Sequence, residues 1–184
     1  MSSVQARIGN AEPAISGGNL LAIMPYGGGF LFIDEFVELD RTHVVARYRF
    51  REGEFFYAGH FSDRPITPGV VLLETMCQTG MVAQGLYLLA QETGVENATR
   101  YRFLVTSAEV EWLEQVHPGE QVTIRGELLA WRQNRIRTRV NMFNEQGTLV
   151  AESKISGMGV VWRPDVSPND SLSPKSLEGN KQFH

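Results

Sequence analysis

The residues of this chain best equipped for chemistry are a histidine and a glutamate fourteen positions apart, His60 and Glu74, in the segment GHFSDRPITPGVVLLETMCQ. Histidine is the natural base near neutral pH. A carboxyl set among Leu72, Leu73 and Met76 is expected to have a raised pKa, because desolvation disfavours the anion. Such a group can stay protonated and act as a general acid. Between the two lies Pro68-Gly69-Val70, where a helix is expected to begin. The free N–H groups at Gly69 and Val70 can take up developing negative charge, such as that on an enolate oxygen. Gly69 has no side chain, so a carbonyl can come close. Spacing alone equally allows a plain structural pairing of Glu74 with Arg64 or Gln78, with His60 only closing a turn. Taken on spacing alone, that pairing is the commoner outcome.

The elements that would position this pair can be read from the pattern. Pro68 suits a first helical position. The helix is expected to run to about Glu92, with Gly94 as its stop. Its apolar residues, from Val70 through Leu89, face nearly every direction, so something must wrap it. Before it, Asn19 is expected to cap a turn over NLLAIM. Phe30–Leu39 and residues 43–50 read as two strands joined by Asp40-Arg41-Thr42. Residues 51–67 read as loop. After the helix, Tyr101–Trp112, Gln121–Trp131, Ile136–Asn144 and Thr148–Trp162 read as four strands with meander connections. The fold class is α+β, a curved antiparallel sheet closed around a long central helix. Residues 1–18 read as a flexible lead-in, 19–163 as the domain, and 164–184, rich in proline, serine and charge, as a disordered tail.

Composition sets the outer bounds. The chain has 184 residues with a net charge of −4, which fits one globular domain and argues against a nucleic-acid partner. Its one cysteine, Cys77, excludes an internal disulfide and a multi-cysteine metal site. No apolar leader opens the sequence, and polar residues break the stretch from Val70 to Ala90. A cytoplasmic protein with no membrane contact is the expectation.

The segment around His60 and Glu74 resembles the signature of the β-hydroxyacyl-acyl carrier protein dehydratases, which have the hot-dog fold. In that family a Gly-His-Phe loop leads through Pro-Ile-Met-Pro-Gly into the central helix, and an acidic residue comes next on the helix. Met24-Pro25-Tyr26 through Asp34, and Val116-His117-Pro118-Gly119-Glu120, resemble flanking family motifs, so the likeness spans roughly residues 20–160. It implies dehydration of a 3-hydroxyacyl thioester to the trans-2-enoyl thioester in fatty-acid, polyketide or related lipid synthesis. His60 would remove the α-proton, and Glu74 would protonate the leaving hydroxyl. The Gly69 amide would bind the thioester carbonyl, Gln78 would hold the acid, and the carbonyl near Ile66 would orient His60. The family needs no cofactor of its own, because the substrate carries phosphopantetheine on an acyl carrier protein, a carrier domain or coenzyme A. It also implies a homodimer, or a trimer of dimers, in which His60 of one subunit meets Glu74 of the other.

Departures from the family concentrate at the mouth of the site. Tyr26-Gly27 replaces its His-Arg, Gly29 its next proline, Ser62 the proline after Gly-His-Phe, and Thr67 the methionine before Pro-Gly. Tyr26 and Thr67 are thus expected to shape the acyl pocket, beside Val70 as a substrate-binding residue at the helix start, and the divergence suggests a specialised pathway. Glu109, Glu111 and Glu114 stand where the family often has basic residues, leaving Arg64, Arg100 and Arg102 as candidate docking cations. Glutamate at 74 leans towards dehydration without isomerisation of the double bond. The rival readings are a hot-dog acyl thioesterase and a non-catalytic acyl-binding or partner subunit. Cys77, His43, His117 and the three tryptophans are expected to serve structure.

Overall fold

The structure, a computed structural model, describes residues 15–163. The expected lead-in up to residue 14 and the expected tail from 164 lie outside the described residues. The chain forms α1 (Gly17–Ala22), β1 (Glu35–Leu39), β2 (His43–Arg49), a 3₁₀ turn (Phe55–Ala58) and α2 (Gly69–Cys77). A π-helical turn (Gln78–Ala83) joins α2 to α3 (Gln84–Thr93). Then come α4 (Val95–Ala98), β3 (Tyr101–Trp112), β4 (Gln121–Arg132), β5 (Arg135–Asn144) and β6 (Leu149–Val161). One six-stranded antiparallel sheet, in the order β1-β2-β4-β5-β6-β3, curls around the continuous helix from Gly69 to Thr93.

The helix is wrapped as its apolar residues demand. Every residue from Thr75 to Ala90 is buried. Alternate residues of the strands point at it: Val44, Ala46 and Tyr48 from β2, Val122 and Ile124 from β4, Ile136, Val140 and Met142 from β5. Helix and sheet approach so closely that two glycines are required at the crossing. A Cβ built on Gly126 lies 3.0 Å from the Gly80 Cα, and one on Gly80 lies 2.3 Å from a Val140 methyl. The helix ends where Gly94 takes φ +88°, a conformation that favours glycine.

Four local expectations need correction. The cap of α1 is Ser16, whose Oγ accepts from the Asn19 N–H at 3.4 Å. Asn19 is therefore inside the helix, and Ile15 before it is buried. Pro68 is the residue before the helix, with extended ψ of 135°, and Gly69 is the first helical one. The strand read over Phe30–Leu39 begins only at Glu35, because the backbone of Phe30 and Phe32 bonds to the Gln78 side chain and not to β2. The last four strands do not form one meander. β4, β5 and β6 do, but β3 pairs with β6 at the far edge.

The His117-Pro118-Gly119 turn is therefore part of a crossing connection and no hairpin. Leu113 and Glu114 N–H groups bond to the Val150 carbonyl, and the Gly119 N–H bonds to the Phe50 carbonyl. The crossing from β3 to β4 thus spans the sheet beside the loop that carries His60.

The glycine crossing makes a direct prediction. Gly80→Ala pushes a methyl into Val140 and should destabilise the protein by about 1–3 kcal/mol. The urea midpoint of the variant should fall with an unchanged slope; an unshifted midpoint would show that the helix has room to move.

Candidate active site

The loop after the 3₁₀ turn carries His60 back towards the helix start through reciprocal bonds with Ile66. The Ile66 N–H donates to the His60 carbonyl at 3.1 Å, and His60 Nδ1 lies 3.0 Å from the Ile66 carbonyl oxygen. A carbonyl can only accept, so in the neutral ring Nδ1 carries the hydrogen and Nε2 keeps its lone pair. The His60 ring is half-buried and stacks on Phe61, with ring centroids 4.0 Å apart. The next residues are fixed from two sides. The Thr67 N–H donates to the Val116 carbonyl at 2.8 Å, and the Thr67 hydroxyl bonds the Tyr57 hydroxyl at 2.6 Å.

Glu74 sits half-buried on the second turn of α2. Its partner is Gln78, one turn on and fully buried. Gln78 Nε2 donates to Glu74 Oε1 at 2.9 Å and to the Phe30 carbonyl at 2.8 Å, while Gln78 Oε1 accepts from the Phe32 N–H at 2.8 Å. The amide cannot flip without setting oxygen against oxygen and N–H against N–H. One carboxyl oxygen of Glu74 is thereby held, and no hydrogen bond holds the other. Arg64 is exposed and makes no ion pair among the described residues.

Gly69 opens the helix, so its N–H has no intrahelical acceptor. Its carbonyl accepts from Trp112 Nε1 at 2.9 Å, and a Cβ added there would lie 3.0 Å from the same indole nitrogen. Val70 is 72 % exposed, which leaves the outer face of the first turn open. Tyr26 is half-buried, with its ring beside that of Phe30. Burial, and then the neighbouring carboxylate, hold the phenol well above the usual tyrosine range. Cys77, behind Glu74, is a buried thiol pushed up to about 12 by burial and then by Glu74. It is neutral at physiological pH and no nucleophile.

The structure therefore joins Glu74 and Gln78 to the segment of Phe30, beside which Tyr26 packs, and sets His60, Ile66, Thr67 and Gly69 along one loop leading to the helix start. Within the described residues, His60 and Glu74 make no hydrogen bond to each other. The Thr67 hydroxyl turns to Tyr57, so what this residue offers the loop is chiefly its backbone. Sequence reasoning misses Trp112 and Val116 as supports. Each lies more than forty residues from its partner, and no local pattern announces such a contact. His43 is exposed and lies 2.8 Å from the Thr42 hydroxyl, and the His117 N–H is bonded within its turn to Glu120. Among the described residues there is no cluster of ligating side chains able to hold a metal, and no helix is long and apolar enough to cross a membrane.

A curved antiparallel sheet wrapped around one long helix is the hot-dog fold. Two solved structures share it at low identity. They are a dehydratase heterocomplex from Xenorhabdus doucetiae (TM-score 0.63, 12% identity, 77% of this chain and 90% of that one) and a thioesterase from Haemophilus influenzae (TM-score 0.58, 16% identity, 80% and 92%). At such identities they speak for the fold alone. Sequence is more specific: residues 24–156 match the FabA-like domain, and the chain belongs to that family. It is similar to the 3-hydroxyacyl-[acyl-carrier-protein] dehydratase FabZ of Bartonella bacilliformis, with 33% identity over 142 residues, 77% of this chain and 88% of the relative. The corresponding enzyme of Geobacillus thermodenitrificans is 31% identical over 135 residues, 73% and 88%.

The Gln78 clamp yields a prediction that needs no substrate. Gln78→Leu keeps the volume but strands the Phe32 N–H and the Phe30 carbonyl, at about 1–3 kcal/mol for each buried group left unpaired. The melting temperature should drop by several degrees, and amide exchange at Phe32 should accelerate. A variant as stable as the parent would mean that Gln78 does not tie the two segments.

Proposed function

We propose that the chain removes water from a 3-hydroxyacyl thioester, giving the trans-2-enoyl thioester, with His60 as base and Glu74 as acid. The observation that carries this reading is the pair of fixed orientations: Ile66 turns the His60 ring so that Nε2 is basic, and Gln78 leaves one Glu74 oxygen free. In the reaction, Nε2 takes the proton from the carbon next to the thioester carbonyl. The electron pair moves towards the carbonyl oxygen, where the Gly69 N–H at the helix start offsets the charge. The bond between C3 and the hydroxyl oxygen then breaks, the new double bond forms, and Glu74 gives its proton to the departing hydroxide as water. The proton on His60 returns to Glu74 through solvent. Elimination needs no activated water, which a thioesterase would. The curated relatives, named for 3-hydroxyacyl-[acyl-carrier-protein], support an acyl chain carried on phosphopantetheine.

The working unit in this reading is a dimer built on β3. That strand is a twelve-residue open edge with Leu104, Val105 and Trp112 exposed, a surface that invites pairing with another chain. Its beginning is basic, with Arg102 in the strand and Arg100 just before it, and its end is acidic, with Glu109 and Glu111 in the strand and Glu114 just after it. Two copies paired antiparallel along β3 would set basic end against acidic end. Such a dimer would bring His60 of one subunit to Glu74 of the other, consistent with the lack of a bond between them inside one chain.

Two experiments test these statements. The purified protein should convert a 3-hydroxyacyl thioester to the enoyl product with loss of water, and His60→Ala and Glu74→Gln should each abolish it. Release of free thiol without enoyl product would instead make it a thioesterase. Co-refolding the two dead variants should then restore about a quarter of the parental activity, because half the dimers are mixed and each has one intact site of two. No recovery would mean that both residues of a site come from one subunit.

A further inference from the structure

We propose that Tyr57 is a positioning residue for His60, its hydroxyl closing the neck of the loop that carries the base. The inference rests on the dehydratase reading above, because that reading gives His60 a proton to remove. Both ends of this loop are buried, and nothing between them is. Tyr57 and Thr67 are each 5 % exposed, whereas residues 58–66 are half-buried or exposed. The two buried ends meet hydroxyl to hydroxyl at 2.6 Å. Tyr57 is anchored behind this bond: its ring belongs to the main core and packs edge-on against Phe56, with centroids 4.6 Å apart. Thr67 is anchored through its N–H on the Val116 carbonyl at 2.8 Å. His60 hangs between these anchors, by its N–H on the Phe56 carbonyl at 3.0 Å and by the reciprocal bonds with Ile66.

What the bond does follows from the substrate. His60 takes a proton from C2 of the acyl chain while the Gly69 N–H receives the oxygen on C1. These are neighbouring atoms, so base and donor must keep one fixed separation. They sit on different segments, His60 on the loop and Gly69 at the helix start, two residues past Thr67. Among the described residues, two side-chain hydrogen bonds join the stretch before the exposed tip of the loop to the stretch after it. One runs from the His60 ring to the Ile66 carbonyl and turns the ring. The other, between Tyr57 and Thr67, holds no reacting group and sets the spacing. Without it the loop gains play and the ring gains freedom to turn. A misplaced base slows proton removal and leaves the grip on the rest of the substrate alone, so the loss falls on kcat with little change in KM.

The test is Tyr57→Phe, which keeps the ring in the core and removes only the hydroxyl. kcat should fall by about ten- to a hundred-fold, the scale of a misplaced reacting group, while KM stays within about two-fold. Thr67→Val should give a similar loss, and Thr67→Ser, which keeps a hydroxyl, should recover most of it. The double variant Tyr57→Phe/Thr67→Val should be little worse than either single one, because each alone already breaks the same bond. All are assayed well below the melting temperature of the least stable variant. A raised KM with parental kcat, parental kcat in both single variants, or losses that multiply in the double variant overturns the proposal. A readout independent of turnover is the tautomer of the neutral His60 ring, from two-bond ¹H–¹⁵N correlations. The parent should show the Nδ1–H form alone, and Tyr57→Phe a mixture with the Nε2–H form. An unchanged tautomer in the folded variant overturns the positioning role. If the parent forms no enoyl product, the dehydratase assignment fails, while the ring tautomer still reports whether Tyr57 steers His60.

Discussion

The arrangement depends on one buried amide. Gln78 is fully buried, where an unpaired amide would be costly. It is instead fully used, by the Phe30 carbonyl, the Phe32 N–H and Glu74. That single constraint has three consequences. The segment before β1 is drawn onto the helix and taken out of the sheet. The acid acquires a defined orientation. Tyr26, across the turn from Phe30, is held with its ring beside that residue. Polar contacts of this kind are high-stakes, because each member left unsatisfied counts against the fold, and here all are satisfied.

The amide can only do this if the helix lies at the right depth. The crossing of Gly80 and Gly126 sets that depth, since neither leaves room for a Cβ. It falls within the π-helical turn that begins at Gln78. A π turn holds one more residue than an α turn and changes the phase of the helix beyond it. Of the candidate site residues, Gly69, Val70 and Glu74 lie on the α-helical stretch before this change, and full burial sets in on the last turn of that stretch and continues through and beyond the π turn. Val70 is exposed, Glu74 half-buried, and Thr75 to Ala90 buried throughout. One helix forms a wall of the candidate site at its start and the core of the domain beyond.

Much of this is legible in the sequence. The alternation in residues 43–50, the apolar run after Pro68 and the Gly94 stop each depend on local pattern, and the structure has them where the pattern puts them. The features that are not legible depend on distant partners. The apolar FLFI run looks like strand, yet Gln78, over forty residues on, claims its backbone. The place of β3 beside β6 cannot be read either. A connection of eight residues between β3 and β4 is as compatible with a neighbouring strand as with a crossing one. Within the candidate site, the pairing of Glu74 with Gln78 is one of two open alternatives, and i,i+4 spacing on a helix is what makes it local enough to foresee. The indole of Trp112 over Gly69 is beyond reach for the same reason as β3: local pattern gives the strand that delivers it the wrong neighbour.

The two missed features are one physical fact. By crossing to the far edge, β3 places Trp112 against the start of the helix and at the same time becomes an open edge itself. The indole donates to the Gly69 carbonyl, which steadies the turn whose N–H points the other way, at the place where a substrate oxygen would be received. The same strand presents the unpaired backbone and opposed charges on which the proposed dimer is built. An edge strand that buttresses the helix start of its own chain would also, in such a dimer, carry the partner's loop towards it. The site and the subunit contact would then share one element, and the first turn of the helix, open at Val70 in the single chain, is the face that the second copy would complete.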